Sequence, residues 1–305
     1  MKRSQFYLLF IILLLWTKAL HAREQISRNM FMVTNLNTEN GLSSSRVYSI
    51  VEAEDGAMWI STKRGVDRYN GQVVTNYTLA TEMQYSDASG RTIKLLKDRN
   101  RQIYAYDNKG KVYIYNKDQD AFILKYNLLN LLGRSTVLNE LLVDSKGNFW
   151  LALDHGLYWL QASVEEKEIS LKKAKGKYVL KNIYINHIQF IGQKLLVGTS
   201  KDVYQYSLVS LKMEKKLNGF SVVSSYHDRV AHQIWLGTFH QGVLVLDDRT
   251  WNPVSMVDFG SLSKIPQIPV RSIIPYKNDA LLMAVDGAGI YAFDRVSKQT
   301  HLILD

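Results

Sequence analysis

The sequence predicts an all-β protein assembled from repeated four-stranded units, and three observations carry that expectation. Residues 47–71, VYSIVEAEDGAMWISTKRGVDRYNG, read as three short strands separated by turns at Asp55-Gly56, Lys63-Arg64-Gly65 and Asn70-Gly71. In such turns glycine or asparagine supplies the positive φ that a hairpin needs. The pattern then returns five more times, with anchors at 59, 104, 150, 196, 235 and 282 separated by 45, 46, 46, 39 and 47 residues. Six or seven residues after each anchor stands a turn residue (Gly65, Gly110, Gly156, Asp202, Gly242, Gly289), and an aliphatic–aromatic strand follows. A period of roughly 40–50 residues with four strands per repeat is that of a β-propeller. One such unit has two apolar faces and cannot bury them alone, so the copies must stack.

In chain order, residues 1–22 are read first as an export signal. Lys2 and Arg3 precede an apolar run from Phe6 to Trp16, with small residues at Ala19 and Ala22, the layout of a secretory signal peptide. The run is shorter than the roughly 20 residues of a spanning helix. Leu20 is a poor residue for cleavage after Ala22, so an uncleaved anchor is the alternative. The chain has no cysteine, which excludes a lipidated leader, a disulfide framework and thiolate metal ligation. Residues 23–305 are then one propeller domain on the periplasmic or extracytoplasmic side.

The mature part opens with a strand at Phe31–Thr34 that has no partners of its own, placed like the fourth strand of a blade whose other three lie elsewhere. Blade motifs follow at 47–77, 93–126, 138–160, 185–208, 222–247 and 270–304. In the first, Val47, Ser49 and Val51 share one face and Tyr48 and Ile50 the other, and a fourth strand is expected over 72–77. The third has a turn at Asp144-Ser145-Lys146-Gly147, and the fourth has leucine at its anchor with Gly192 marking its turn. The Lys-rich stretch 164–177 reads as a solvated hairpin loop, since no aromatic or arginine partners at matching spacing support a nucleic-acid patch. In the sixth, Pro266, Pro269 and Pro275 mark strand ends or edges. That unit ends on its own outer strand, Thr300–Leu304, so two outer strands compete for one blade. The expectation is six repeats of a seven-bladed ring, with a seventh repeat beyond Asp305.

Charge and chemistry narrow the function less than the fold. The net charge is +10, and loss of Lys2, Arg3 and Lys18 with the leader leaves +7, which fits ordinary surface charge for solubility. No phosphate loop, nucleophile elbow or His-Glu-x-x-His pattern occurs. Histidines 21, 155, 187, 227, 232, 240 and 301 are read as turn and surface residues; His227, His232 and His240 cluster in one repeat without the spacing of a metal site. Carboxylate pairs for acid–base work cannot be chosen from 28 acidic residues without geometry. No catalytic, cofactor-binding, metal-ligating or ligand-binding residue is therefore nominated, and no cofactor is expected. Trp59, Trp150 and Trp235 recur at one place in the repeat, which points to packing between blades and not to a sugar platform.

With those residues in view, the segments Asn40–Val47, Asp55–Thr62 and Arg64–Gly71 resemble the two-component regulator propeller repeat. The chain is similar to the periplasmic sensor region of Bacteroides-type hybrid two-component histidine kinases, strongly in the first, third and fifth units. The resemblance implies two seven-bladed propellers, a small β-sandwich, one membrane span and a cytoplasmic kinase in the parent. It also implies sensing of glycan breakdown products and control of polysaccharide-utilisation genes. The kinase parts are absent from this sequence, so this chain is expected to bind and not to phosphorylate. Its expected partners are an oligosaccharide, further blades and the β-sandwich of the parent, and a second copy through the parent, with no nucleic acid. The alternatives are a secreted propeller lyase or hydrolase acting on polysaccharide, and a protein-interaction scaffold. Convergent carboxylates or a tyrosine–histidine pair in the central depression point to the enzyme, and an aromatic-lined rim to the sensor.

Overall fold

The computed structural model describes residues 34–79, 90–98, 100–128, 135–161, 175–257, 268–277 and 279–304. The leader, Phe31–Val33 of the expected N-terminal strand, residues 164–174 of the Lys-rich stretch and 265–267 of the proline-rich one lie outside the described residues. Thr34 is described and is not in a strand. Among the described residues, 24 strands form six four-stranded antiparallel sheets, each made of four strands consecutive in sequence. This is a six-bladed β-propeller. In blade 1 the strands are β1 (Val47–Glu52), β2 (Met58–Thr62), β3 (Val66–Tyr69) and β4 (Val74–Tyr77). The innermost strands of the remaining blades are β5 (Ile93–Lys97), β9 (Leu138–Val143), β13 (Ile185–Ile191), β17 (Val222–Asp228) and β21 (Val270–Tyr276).

The turns obey their chemistry. Gly56, Gly71 and Gly147 take φ of 78°, 96° and 80°, and the Asp144 carboxylate closes its turn by accepting from Lys146 N. Three differences from the sequence reading have physical causes. Strict alternation fails in β1 because the register shifts between Val47 and Ser49, leaving Tyr48 bulged; equivalent shifts bend β13, β17 and β21. Blades 3, 4 and 5 extend past their motifs to outer strands β12 (Gly176–Lys181), β16 (Met213–Asn218) and β20 (Pro253–Val257). Lys177 thus pairs with Trp159 in a sheet and is not part of a loop. Pro275 lies inside β21, paired opposite Leu281. As the innermost strand is a sheet edge, the missing N–H breaks no ladder.

The core lies between blades. Five clusters of buried apolar residues each span two consecutive blades, from blades 1 and 2 through to blades 5 and 6. Trp59 sits against Tyr115 and Phe122 of blade 2 with ring centroids 4.6 and 5.5 Å away. Trp150 belongs to the cluster shared with blade 4, and Trp235 packs on Phe293 of blade 6 at 5.3 Å. All three tryptophans are packing residues. Among the described residues no cluster joins blade 6 to blade 1. The consequence appears in matched positions: Leu95, Leu141, Ile188 and Ile273 are buried against the preceding blade, while their equivalent in β1, Ile50, is 55% exposed.

Candidate functional site

The inner wall of the ring poses a hydrogen-bonding problem. Each innermost strand pairs on one side only, so alternate backbone groups on the other side need partners. The preceding blade supplies them from one register position. Ser49 Oγ accepts from Leu95 N at 2.7 Å, Tyr106 Oη from Leu141 N at 3.3 Å, and Glu140 Oε2 from Ile188 N at 2.8 Å. Between blades 5 and 6, Ser224 Oγ donates to Val270 O at 2.6 Å.

The junction of blades 4 and 5 departs from this pattern, because Ser225 stands where the other blades carry an aliphatic residue. His187 bridges three blades there: its Nδ1 lies 3.0 Å from Glu140 Oε2 in β9, and its Nε2 lies 2.7 Å from Ser225 Oγ in β17. Ser225 Oγ in turn donates to Gln189 Oε1 at 2.5 Å. Burial pushes the Glu140 carboxyl up, but the His187 ring, Lys94 and the Ile188 N–H together hold it below the ordinary carboxylate range. Burial pushes the neighbouring Tyr106 hydroxyl up. A carboxylate, an imidazole and a hydroxyl in series also form the order of an acyl-transfer relay. Here the serine proton already has another acceptor, and the same register position elsewhere only closes backbone groups. The series acts as a clamp across blades 3, 4 and 5.

The other histidines divide between turns and contacts. His155 lies between Asp154 and Tyr178, with 2.6 Å on each side. This is a tyrosine–histidine pair, but it stands at the outer strand β12, away from the innermost strands, so it does not meet the condition set for an enzyme. His227 and His232 both approach Asp248, at 2.9 and 3.4 Å, while His240 meets Phe239 edge to face. Among the described residues no group of three or more His, Asp or Glu side chains could hold a metal ion. His187 and His227, half-buried in strands, correct the reading of the histidines as turn and surface residues.

A half-open cleft of about 390 Å³ lies at the end of blade 2. Two turns build it. In one, the Asp98 carboxylate accepts from Gln102 N, and Arg101 takes a φ of 66°. In the other, Asn116 Oδ1 accepts from Gln119 N, and Asp120 takes a φ of 44°. Asp120 also accepts from the hydroxyls of Tyr77 and Tyr115, at 2.8 and 2.6 Å. Those two bonds hold its carboxyl below the ordinary range, and burial with the Asp120 contact raises the Tyr115 hydroxyl. Tyr115 is thereby fixed, its ring against Trp59 of blade 1 and its backbone carbonyl accepting from Gln102. Gln102 is fixed too, its amide donating to Ile103 O and Tyr115 O at 3.2 and 2.8 Å. Arg101 pairs with Glu54 of blade 1.

The comparisons with known proteins begin from blade 1. There the segment leading into β1 is tied back to the sheet, with Ser43 N donating to Asp67 Oδ2 at 2.8 Å. Gly41, at φ 103°, leaves an added Cβ 3.3 Å from Val74. Residues 41–64 match the family described as Two component regulator propeller. Blade 1 carries a two-component regulator propeller repeat. Among solved structures, the extracellular domain of the hybrid two component system BT3049 of B. thetaiotaomicron is similar, with 18% identity, 89% of this chain covered and a TM-score of 0.66. The chain spans 36% of that structure's length. A chain of the mitotic checkpoint complex, at 11% identity and TM-score 0.64, covers 91% of this chain, which covers 84% of it. The computationally designed Ika8 protein, also at 11% identity, gives 0.57 over 84% of this chain and 73% of its own. At such identities the likeness is one of fold. No curated protein matches the chain. No helix among the described residues is long and apolar enough to cross a membrane.

Proposed function

We propose that the chain is the extracytoplasmic sensor portion of a hybrid two-component system. It binds glycan breakdown products and signals to a kinase carried elsewhere in the parent protein. The observation that supports this reading most is the regulator-propeller match at residues 41–64, set beside the fold shared with the extracellular domain of BT3049. On this reading residues 1–22 direct export. The exposed faces at Ile50 of blade 1 and Ile274 of blade 6 receive further propeller structure of the parent, whose β-sandwich and second copy complete the receptor. The test is calorimetric titration of the exported chain with a panel of polysaccharide-derived oligosaccharides. Saturable binding of one class supports the sensor, and the absence of heat across the panel at millimolar ligand overturns it.

A second reading, a propeller hydrolase, would require the clamp residues to work with the Ser225 proton released from Gln189. Glu140, His187 and Ser225 stand in the order of an acyl-transfer relay, with 3.0 and 2.7 Å between them. A fluorophosphonate probe that labels the chain, and fails to label Ser225→Ala, would establish it. An unlabelled chain leaves the clamp as the role of these residues.

A further inference from the structure

Three turns at one end of the ring carry valines for which turn chemistry has no use. Consecutive strands in every blade are antiparallel neighbours, so the turns after the first and third strands share that end. Val209 of blade 4, Val230 of blade 5 and Val296 of blade 6 are 81%, 93% and 63% exposed there. Each occupies the same place in the same kind of turn. Val209 N donates to Ser207 Oγ at 3.3 Å, Val230 N to Asp228 Oδ1 at 3.1 Å, and Val296 N to Asp294 Oδ1 at 2.7 Å. Only the backbone N–H takes part, so the valine side chain adds nothing to the turn. The matching turns of blades 1, 2 and 3 put Gln72, Asp118 and Lys146 there. One exposed valine is ordinary surface, but three on consecutive blades, facing one way, form a pattern.

The Val230 and Val296 turns are tied together. Asp228 holds the first through Oδ1, and its Oδ2 meets Arg295, the residue before Val296, at 2.5 Å. Around the three turns Lys212, Arg229, Arg249, Lys277 and Lys298 are exposed, and none is in an ion pair among the described residues. The nearby carboxylates are largely spent. Asp228, Asp247 and Asp294 accept from turn N–H groups, Asp248 faces His227 and His232, and Glu214 holds Lys194. Asp279 is exposed among the cations. Apolar points set among unpaired cations are the layout of an interfacial anchor. The apolar side chains enter the boundary between headgroups and acyl chains, and the cations meet lipid phosphates. A protein partner needs a continuous complementary face of about 800 Å² on each side, which separate turn tips do not offer.

We propose that this end of blades 4, 5 and 6 rests on an anionic lipid surface. Val209, Val230 and Val296 enter the headgroup region, and Arg229, Arg249 and Lys298 pair with phosphates beside them. The assignment does not depend on what else the propeller binds.

The test is co-sedimentation of the full chain with vesicles of phosphatidylglycerol and phosphatidylethanolamine, and with vesicles of phosphatidylcholine alone. Residues 1–22 carry an apolar run of their own, so the readout is the difference between chains that share it. Wild type should prefer the anionic vesicles and bind them less as salt rises. Arg229→Gln with Arg249→Gln should lower that partition about twentyfold, at about fivefold for each cation removed. Val209→Ser, Val230→Ser and Val296→Ser combined should lower it about tenfold. Both variants should melt with wild type because every changed residue is exposed. If the valine variant melts lower, the arginine variant alone decides. Partition equal in wild type and the variants overturns the proposal, and so does equal binding to the two kinds of vesicle. Self-association of wild type without lipid, lost in the valine variant, would assign the face to a second copy and overturn it too.

Discussion

Replacing Trp59 by alanine should unseat the join between blades 1 and 2. The side chain is 2% exposed. Its ring centroid lies 4.6 Å from Tyr115 and 5.5 Å from Phe122 across the interface, and 5.2 Å from Tyr77 in its own blade. Arg68, held by Asp55, covers it at 5.8 Å. Removing a large buried aromatic costs about 3–5 kcal/mol. Three ring contacts place this site in the upper half of that range, since each such pair adds about 0.5–1.5 kcal/mol beyond area burial. At about 2 °C per kcal/mol for a domain of this size, the melt should drop by roughly 8–10 °C. Scanning calorimetry of Trp59→Ala beside wild type reads the shift, and Ile50→Ala, at a position 55% exposed, serves as a control within about 0.5 kcal/mol. Trp235→Ala, against Phe293 of blade 6, should behave alike. Oligosaccharide affinity should fall only as far as the folded fraction falls. An unshifted melt with binding abolished would refute the packing argument and make these tryptophans ligand residues.

Two further outcomes follow from the inner wall and the blade joins. Glu140→Gln should lower stability at neutral pH by about 2–3 kcal/mol, less than the ~3–5 of a fully buried pair because Glu140 and His187 keep 22% and 16% exposure. Since the folded carboxyl titrates below its ordinary value of 4.5, its contribution is complete above that pH and is lost as pH falls through the folded value. Melts from pH 7 to pH 3 should therefore show the variant and wild type converging on the acid side. Gly237→Ala would place a Cβ 2.1 Å from Ser224 Oγ and 2.4 Å from Val270 O of blade 6. Forcing those backbones apart should cost about 1–3 kcal/mol or more, measurable by urea unfolding.

The fold was legible because its signals are local and recur. The aromatic or aliphatic anchors and the glycines a few residues later mark the second and third strands of a blade in nearly every repeat, and both sit where burial and positive φ leave little choice. The outer strands of blades 3, 4 and 5 were less visible. A strand such as Met213–Asn218, MEKKLN, has one edge and much of its face in water, so no apolar alternation announces it. The bulge at Tyr48 was hidden for a related reason: it answers to the curvature of the inner wall, and the sequence of one strand holds no trace of that. The Glu140–His187–Ser225 clamp could not be read at all, because its contacts join residues 47 and 38 positions apart. A hint existed, since Ser225 breaks an otherwise aliphatic column, but that column emerges only once the register is known. The cleft on blade 2 is made of turn residues chosen for turn chemistry, which masks any second use.

Five packed joins among six blades also give the molecule a direction. In a closed circle every sector is braced on both flanks, and opening one costs two joins. Here the described blades behave energetically as a row, with stability set by each unit and its nearest neighbours. Among the described residues the two outermost units, marked by Ile50 at 55% exposure and Ile274 at 50%, have a packed core on one flank only. Opening is cheapest there and dearest in the middle, so amide exchange should slow from blades 1 and 6 toward blades 3 and 4. A body that loosens from its flanks inward transmits the capture of whatever rests against those flanks as tightening, while the clamp at its centre stays as it was.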